Sequence, residues 1–508
     1  MSRTSSSDSE RADPVMQWLR RHGFTANPFA EWEASKEEWL QRYFVSLPFF
    51  DKLYGNPEHP VTTFLFAGRG CGKSAHRVIV QMRSRPHNPH DTVLAIPYTD
   101  FTSFLNQSGT ALVQSTLDSH LKLILKKAFE ILLSELTQRS TPWFDLLPDE
   151  QSEFKRLVLT FAPDLLRPAD LARWLATYSD NKISLHDLQS AIKQNDLGIL
   201  KTHSLSDSPA LSFWCSFLTT TPSAEEVTDG FLAFRRYVYF VRAIGLDAVY
   251  VLVDGIDELL PSVEPQIWAD FLLPLVTALP LMEMPHVAFK FFLPTTVGAA
   301  LKKHDNARFD RFRTFDLHWD AESLKELLAL RLSSFNKKGI NSLKALAEEN
   351  AATIEDDLIR KAQGSPRAMI LMGHLMFEAH CADVSKPDLL LKTSDLKNAI
   401  ERFNREYQSL VTSVPLMRVD EKAGRIYIGG RPVDVKLSKR EFKVLEFLYR
   451  GRGMIRSEAE IVEAIGYVSN IAFDSMISRL RAKIESDPDN PLYLITERGR
   501  GYRLANTE

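Results

Sequence analysis

The segment that most constrains the fold of this chain is a glycine-rich stretch around residue 70. Residues 61–67 (VTTFLFA) have the length and the β-branched and aromatic character of a buried strand, and residues 75–85 (AHRVIVQMRSR) have the apolar spacing of a helix. The loop between them contains GRGCGKS. Glycines allow successive backbone N–H groups to point at phosphate oxygens, and the following helix adds its positive N-terminal end. The sequence therefore predicts a phosphate-binding loop.

Residues 67–74 fit the pattern GxxxxGK[ST], except that Ala67 stands in place of the first glycine. In this pattern we expect Lys73 to bridge the β and γ phosphates and the Ser74 hydroxyl to bind Mg²⁺. ATP and Mg²⁺ are the predicted ligands, with GTP as the alternative nucleotide. The predicted nucleotide-binding residues of this loop are Gly68, Arg69, Gly70, Cys71, Gly72, Lys73, Ser74 and Ala75.

A second segment, residues 249–258 (VYVLVDGIDE), is a continuous apolar run that ends in acidic residues. It places Asp254 at the carboxyl end of a buried strand, where ligands bind in open α/β sheets, so we expect Asp254 to hold Mg²⁺. Asp257 and Glu258 follow one turn later and offer carboxylates to a water that attacks the γ-phosphate. A turn followed by helix-capping acids is the alternative interpretation.

The pattern of apolar residues followed by DGIDE resembles the Walker B motif of NACHT and other STAND NTPases, which are relatives of the AAA+ ATPases. In AAA+ enzymes a glutamate directly follows the Mg²⁺-binding aspartate, whereas this chain has Gly255. The resemblance therefore implies an ATPase with slow turnover.

Three further positions are assigned by resemblance. The segment around Arg311 resembles the AAA+ segment that carries the arginine finger, which implies that Arg311 neutralises charge on a neighbouring subunit's nucleotide. Gly364-Ser-Pro-Arg367 resembles the AAA+ sensor 2 or the STAND GxP element. Thr295 stands at the end of the sensor 1 strand, where STAND proteins often carry arginine, and is a candidate contact of the γ-phosphate. For each arginine a surface salt bridge is an equal alternative. The predicted catalytic residues are Lys73, Asp257, Glu258 and Arg311, and Thr295 and Arg367 join the nucleotide-binding set.

Strands and helices alternate along the N-terminal part, which predicts a doubly wound α/β fold with a parallel sheet. Further strands are expected at 93–98 and 287–296. Lys73 and Asp254 are 181 residues apart, more than two βα units need, so we infer a helical insertion. We favour a packed structural bundle there over a site for a protein or small-molecule inducer. The predicted domains are a disordered tail (1–14), a P-loop NTPase core (15–320, insertion about 105–245), a helical lid (321–412) and a winged helix (416–508).

The C-terminal region has the pattern of a small DNA-binding domain. Capping boxes begin helices at Ser438 and Ser457, and a third helix carries an apolar arc from Phe473 to Ile484. Small residues on its other face allow entry into a major groove, and flanking cations reach phosphates. A glycine-containing hairpin follows at 496–503. The predicted DNA-binding residues are Ser475, Ser478, Arg479, Arg481, Lys483, Arg498, Arg500 and Arg503.

Nearly all of residues 416–508 resemble the OmpR/PhoB-type winged-helix output domain of bacterial response regulators, through LSKREFKVLEFLYRGRGMIRSEAEI and FDSMISRLRAKIESDPDNPLYLITERGRGYRL. The resemblance implies binding to promoter DNA. We expect residues 416–508 alone to bind duplex DNA in a salt-sensitive manner. The alternative is that the fold has become a protein-interaction module.

Charge and cysteine content place further limits on function. The formal net charge is −3, so any preference for DNA must come from local patches. Cys71, Cys215 and Cys381 form no CxxC pair, which disfavours a disulfide framework or a zinc site. No signal peptide or membrane-spanning run is apparent, so we expect a cytoplasmic bacterial protein.

The sequence thus predicts an ATP-binding and slowly hydrolysing switch that controls a DNA-binding winged helix, acting as a bacterial transcriptional regulator. We expect it to form a nucleotide-dependent homo-oligomer and to have no membrane partner. One alternative is a DNA-dependent AAA+-like ATPase of the origin-recognition, loader or remodeller type, which duplex-stimulated turnover would distinguish. Another is a STAND-type antiviral or stress sensor.

Overall fold

The computed structural model describes most of the chain, and its residues fall into two compact units. One unit comprises the described parts of Met1–Ala30, Gly68–Gly70 and Phe335–Glu508, and the other those of Glu31–Ala67 and Cys71–Ser334. The described residues are 13–84, 92–106, 111–178, 184–194, 209–260, 263–382, 390–407, 410–411, 417–420, 424–428, 431–433, 435–451, 453–466, 470–485, 488, 491, 493–497, 499–505 and 507.

The unit that contains Cys71–Ser334 is built on a five-stranded sheet. Every neighbouring pair is parallel and the strand order is β2-β3-β4-β1-β5, which confirms the predicted parallel α/β sheet. The strand expected at 287–296 ends at Pro294 because Thr295 already begins a helix. The strands are β1 Thr63–Ala67, β2 Val93–Tyr98, β3 Ala248–Val253, β4 Val287–Pro294 and β5 Arg313–Asp316.

The apolar composition of the central strands follows from their position. Strands β1, β3 and β4 are buried at every residue, as expected where helices cover both faces of a parallel sheet, whereas β5 lies at an edge and is largely exposed. Phe64 of β1 is in register with Phe291 of β4, and their rings stack with centroids 4.4 Å apart. Cross-strand aromatic pairs of this kind set the register of the sheet.

The helices of this unit surround the sheet, and those between β2 and β3 form the predicted insertion. Between β2 and β3 the described residues contain seven helices, α5 to α11. The helices are α2 Leu40–Tyr43, α3 Phe50–Tyr54, α4 Lys73–Arg83, α5 Leu117–Gln138, α6 Thr141–Asp145, α7 Pro148–Phe161, α8 Pro168–Tyr178, α9 Leu185–Gln194, α10 Pro209–Thr219, α11 Gly230–Ala243, α12 Ile256–Leu259, α13 Pro265–Val276, α14 Leu279–Met282, α15 Thr295–Leu301 and α16 Ala321–Ser334.

The insertion has a packed aromatic interior. The Trp143 ring meets those of Phe154, Phe213 and Phe217 edge-on, with centroids 5.5 to 5.8 Å apart. Its indole N–H donates to the Ser216 hydroxyl at 2.9 Å, which satisfies the buried polar atom. These rings belong to one hydrophobic cluster with the sheet. The described insertion is therefore a helical bundle continuous with the core of this unit.

The other unit holds a helical region formed by α1 Pro14–Arg21, α17 Ile354–Ala362, α18 Pro366–Cys381 and α19 Thr393–Glu406. Trp18 of α1 packs against Phe377 of α18 at 5.3 Å between ring centroids. Helix α1 begins at Pro14, inside the predicted tail, with the Asp13 side chain as its N-cap. Helix α16, which the sequence placed in the lid, groups with the sheet-containing unit.

The C-terminal residues form three antiparallel strands, three helices and a hairpin. Both predicted capping boxes are present, and Phe473, Met476, Ile477, Leu480 and Ile484 are buried as the apolar arc required. None of the helices described here has the length and apolar character needed to cross a membrane. The elements are β6 Met417–Asp420, β7 Arg425–Ile428, β8 Arg431–Pro432, α20 Lys439–Arg450, α21 Glu458–Ile465, α22 Asn470–Ile484, β9 Leu494–Glu497 and β10 Gly501–Leu504.

Candidate functional site

The glycine loop leaves the carboxyl end of β1 and enters α4 through two left-handed residues. Gly70 has φ 76° and Gly72, the N-cap of α4, has φ 92°. Only glycine adopts such angles without steric cost, which explains its use at these positions. Lys73, the first residue of α4, is buried, and its ammonium lies 3.4 Å from the carbonyl oxygen of Ala67. The loop therefore curls back over the end of its own strand.

The two predicted magnesium ligands lie together. Asp254 follows β3 and is buried, and the Ser74 hydroxyl lies close enough to lower the pKa of its carboxylate. Burial raises the pKa of Asp254 above its ordinary value, although Arg77, Ser74 and Lys73 act in the opposite direction. These residues come from two distant segments, and the parallel pairing of the sheet brings the ends of β1 and β3 to one edge.

The carboxylate of Asp254 retains an unused oxygen. Among the described residues, its Oδ1 atom is buried and has no hydrogen-bond partner. Buried polar atoms are nearly always satisfied, so an orphan of this kind needs an explanation. Mg²⁺ is a hard cation that takes carboxylate and hydroxyl oxygens. The Asp254 carboxylate and the Ser74 hydroxyl therefore fit a magnesium ion.

Gly255 departs from the AAA+ pattern for a local conformational reason. It has φ 82° and is the N-cap of the short helix α12, which carries Asp257 and Glu258 in its first turn. A glutamate at position 255 would be strained in this left-handed conformation. The negative charge of Asp257 acts on Asp254 and contributes to its raised pKa. The acidic residues predicted for water activation thus follow directly on the magnesium residue.

The segment 364–367 contacts Gly70, which belongs to the same compact unit. The Arg367 N–H donates to the Gly70 carbonyl oxygen at 3.2 Å, and the Ser365 hydroxyl donates to the same oxygen at 3.3 Å. The Arg367 guanidinium instead donates to the Leu410 carbonyl oxygen at 3.2 Å. The contact made by Ser365 was not predicted, although its position before Pro366 is typical of a helix N-cap.

Arg311 and Thr295 are both at the surface. Arg311 ends the 3₁₀ turn Phe309–Arg311, and its Nη1 lies 3.1 Å from a carboxylate oxygen of Glu283. This is the surface salt bridge that the sequence left as the alternative. The predicted role of Arg311 at the nucleotide of a neighbouring subunit stays a prediction. Thr295 is exposed at the carboxyl end of β4, next to β3 and β1 in the sheet.

Two residues near the loop were missed by the sequence analysis. The Trp319 indole N–H donates to the Cys71 carbonyl oxygen at 2.8 Å, from 248 residues further along the chain, and no local pattern indicates this contact. Arg77 Nε donates to Asp254 Oδ2 at 3.2 Å. For Arg77 a signal was present, because it lies four residues after Lys73 and so on the same face of the helix.

The predicted DNA-binding residues of the C-terminal domain divide into two groups. Ser475, Ser478 and Arg479 of α22 are exposed, and so is Arg500 in the turn between β9 and β10. Arg498 lies outside the described residues. The remaining three basic side chains form contacts within the domain.

Two of those internal contacts connect α22 to its neighbours, and the third lies across the hairpin. The Arg481 guanidinium donates to the Leu494 carbonyl oxygen at 3.0 and 2.7 Å and to the Thr496 hydroxyl at 2.7 Å. The Lys483 ammonium lies 2.8 Å from the carboxylate of Glu441, which is buried. Burial alone would raise the pKa of Glu441, but Lys483 and the capping contacts of Ser438 bring it below its ordinary value. Arg503 pairs with Glu497 at 2.9 Å across the hairpin.

Comparison with known proteins assigns this domain. Residues 430–504 match the family described as "Transcriptional regulatory protein, C terminal". The chain is 35% identical over 92 residues to the sensory transduction protein RegX3 of Mycolicibacterium smegmatis, covering 17% of this chain and 40% of that protein. It is 37% identical over 93 residues to the uncharacterized transcriptional regulatory protein YrkP of Bacillus subtilis, covering 17% of this chain and 39% of that protein. The chain thus spans about two fifths of the length of these relatives.

Comparison with solved structures gives distant similarities, among them the following two. The Aeropyrum pernix Orc1 protein in complex with DNA aligns over 94% of both chains with a TM-score of 0.35 and 12% identity. A streptococcal redox sensor that evolved from two-component response regulators aligns over 39% of this chain and 90% of its own, with a TM-score of 0.16 and 17% identity. The family match and the relatives identify residues 430–504 as a winged-helix domain of the OmpR/PhoB type, as the sequence predicted, and the structural similarities add nothing to that assignment.

Proposed function

We propose that this chain is a transcriptional regulator in which ATP and Mg²⁺, bound at the glycine loop, control how the C-terminal winged helix engages duplex DNA. The observation that carries the nucleotide part is the buried Asp254 carboxylate, whose Oδ1 atom has no hydrogen-bond partner among the described residues and which lies beside Ser74 and Lys73. The assignment of residues 430–504 to a family of transcriptional regulators supports the DNA part.

In the proposed nucleotide site the residues have distinct tasks. Backbone N–H groups of the curled loop and the Lys73 ammonium bind the phosphates, and Ser74 and Asp254 hold the metal. Mg²⁺ supplies positive charge that neutralises the phosphate oxygens. Asp257 and Glu258 orient and deprotonate the attacking water. Because Gly255 stands where AAA+ enzymes carry glutamate, we expect slow hydrolysis and hence a long-lived ATP state.

On the DNA side, the exposed face of α22 enters the major groove and the hairpin turn approaches the backbone. Ser475 and Ser478 are small enough to let the helix approach base edges, and Arg479 and Arg500 neutralise phosphates. Each phosphate neutralised releases condensed counterions, so binding weakens as salt increases.

ATP acts on DNA binding only through a difference in affinity between two states of the chain. An effector that binds both states equally shifts nothing, and the coupling must be reciprocal. We therefore expect duplex DNA to change the affinity for ATP by the same factor by which ATP changes the affinity for DNA. A change in homo-oligomer size with nucleotide is the form of coupling that we expect.

The test compares the full chain without nucleotide, with Mg-ADP and with Mg-ATP. Nucleotide affinity is measured by calorimetry, particle mass by mass photometry, and duplex affinity by anisotropy with a random duplex library. We expect Lys73→Ala to weaken ATP binding at least a hundredfold and to remove any effect of ATP on mass and DNA affinity. Lys303→Ala, at an exposed lysine after α15, is the matched control.

Two results would refute the proposal. Absence of ATP and GTP binding by the wild-type chain with Mg²⁺ would remove the nucleotide site. Equal mass and equal DNA affinity in all three nucleotide states would leave a nucleotide site that does not control the winged helix.

A further inference from the structure

Arg77 holds the carboxylate that the proposed metal site requires. It lies on α4, one turn after Lys73, and its side chain is only 10% exposed. Its Nε donates to Asp254 Oδ2 at 3.2 Å, and its Nη1 donates to the Gln81 side-chain oxygen at 2.8 Å. Arg77 is thus a buried cation in contact with the proposed magnesium ligand.

The contact is electrostatically strong because both groups are removed from water. A buried carboxylate without a counterion is costly, and a guanidinium is the side chain best suited to neutralise it because it never loses its charge. One carboxylate oxygen is bonded to Arg77, and the other, Oδ1, has no hydrogen-bond partner among the described residues. The Asp254 carboxylate is therefore already neutralised on one side.

Mg²⁺ and the guanidinium draw on the same negative charge. A metal at the Ser74 hydroxyl and the Asp254 carboxylate would place two more positive charges beside Arg77 and Lys73, and like charges at short distance disfavour one another in a buried site. Metal binding therefore weakens the Arg77–Asp254 contact, and that contact weakens metal binding by the same factor.

We propose that Arg77 is an internal counterion that competes with Mg²⁺ for Asp254 and thereby sets the magnesium concentration at which nucleotide loads. This inference rests on the proposed nucleotide site. Before loading, the guanidinium neutralises Asp254; on loading of the nucleotide with its divalent cation, it gives up the carboxylate and keeps its bond to Gln81. The chain then takes up nucleotide only where free Mg²⁺ is sufficient to displace an arginine.

The test measures binding of a fluorescent ATP analogue (MANT-ATP) by the full chain at fixed nucleotide while Mg²⁺ is titrated. We expect Arg77→Met to lower the Mg²⁺ concentration at half-maximal binding at least fivefold. Arg83→Met is the matched control, because Arg83 is on the same helix but is half-exposed and pairs with the exposed Asp51 at 2.9 Å. It should leave the midpoint unchanged.

A second variant tests the same competition in the opposite direction without leaving Asp254 unpaired. Gln81→Leu removes the hydrogen bond that the Arg77 guanidinium would keep after it leaves Asp254. Leaving Asp254 then becomes less favourable, so the Mg²⁺ concentration at half-maximal binding should increase about threefold. This variant keeps the experiment decisive even if Arg77→Met fails to fold.

The outcomes separate the two proposals. Normal MANT-ATP binding with the same Mg²⁺ midpoint in the wild-type chain and in the Arg77 and Gln81 variants would overturn the role of Arg77 and leave the nucleotide site intact. No MANT-ATP binding by the wild-type chain at any Mg²⁺ concentration would overturn both.

Discussion

The sheet core and the winged helix treat their basic residues differently. At the carboxyl edge of the sheet, Lys73 and Arg77 are buried beside Asp254. In the winged helix, Lys483 is paired with the buried Glu441, while Arg479 and Arg500 remain at the surface. At this edge of the sheet, two basic side chains are therefore gathered around one carboxylate. In the winged helix they are divided between holding the domain together and facing solvent.

The comparison shows that motif position alone does not tell whether a cation is available to a ligand. Arg479 and Lys483 lie one turn apart on α22, and the sequence assigned both to DNA. Only the partners distinguish them, because Lys483 lies against Glu441 at the start of α20. The predictions below test whether the two regions differ as described, beginning with the largest effect.

Removing Lys483 should destabilise the winged helix strongly. Lys483→Met leaves the buried Glu441 carboxylate without its cation, which costs about 3 kcal/mol in comparable buried pairs. We expect faster hydrogen exchange throughout α20 and α22 in the full chain, measured by mass spectrometry. Arg479→Met, one turn earlier on an exposed position, is the control and should exchange like the wild-type chain. Equal protection in both variants would mean that Lys483 is not structurally required.

Acidification should destabilise the core through His120, in addition to a similar contribution from His76, whose pKa burial also lowers to about 4. The His120 ring accepts the Tyr98 hydroxyl at 2.7 Å and donates to the Phe271 carbonyl oxygen at 3.0 Å, as a neutral imidazole does. Burial lowers the pKa of His120 to about 4 from 6.5, although the hydrogen bond to Phe271 opposes the shift. Below pH 6.5 the unfolded chain therefore gains a proton at His120 that the fold excludes, and His120 alone lowers the stability by about 2 kcal/mol between pH 7 and pH 5.

Urea unfolding at the two pH values measures this loss. In His120→Gln the difference in unfolding free energy between pH 7 and pH 5 should shrink by most of the contribution of His120. His186→Gln removes a histidine whose side chain is 87% exposed and should leave the difference as in the wild-type chain. An undiminished pH dependence in His120→Gln would show that other groups cause it.

The exposed cations should contribute to DNA binding without affecting stability. Arg479→Ala combined with Arg500→Ala should weaken duplex binding about tenfold at physiological salt and reduce the slope of log affinity against log salt by about 2. Arg405→Ala, at an exposed residue of α19, is the control. The measurement is anisotropy over a salt series. An unchanged slope would show that these arginines contact no phosphates, and would favour a protein-interaction role for the domain.

The smallest effect is expected at the turn after β3. Gly255→Ala forces an alanine into φ 82°, which should cost about 1 kcal/mol of unfolding free energy without a steric clash, since a Cβ there would lie 3.8 Å from the nearest atom. Gly245→Ala, also at positive φ and with open space around it, is the matched control for backbone strain alone. Urea unfolding should give similar losses of unfolding free energy for Gly255→Ala and Gly245→Ala. A much larger loss at Gly255 would indicate crowding beside Asp254.

Much of the fold was predictable because its signals are local. The strand, loop and helix around residue 70, the apolar strand before Asp254 and the capping boxes of Ser438 and Ser457 each depend on residues a few positions apart. The boundaries were less certain. The tail was predicted to include Pro14, which begins a helix, and the strand after His286 ends before Thr295.

The candidate site was predicted in its residue types but not in its contacts. Ser74 and Asp254 were assigned to one metal, and the structure brings them together. The contact of the Arg77 side chain with Asp254 and that of the Trp319 indole with the Cys71 carbonyl oxygen were not predicted. Each joins residues far apart in the chain. Arg311 pairs with Glu283 within this chain, and its predicted role at a neighbouring subunit's nucleotide stays a prediction.

By itself the sequence determined the glycine loop, the alternation of strands and helices, and the type of the C-terminal domain, because backbone preference and apolar periodicity act over a few residues. Only the tertiary structure decided which charges face one another. Arg77 reaches Asp254 across 177 residues because parallel pairing brings the ends of β1 and β3 to the same edge of the sheet. Lys483 is committed to Glu441 because α22 packs on α20. Electrostatic partners depend on distance in space, and no local pattern encodes that distance.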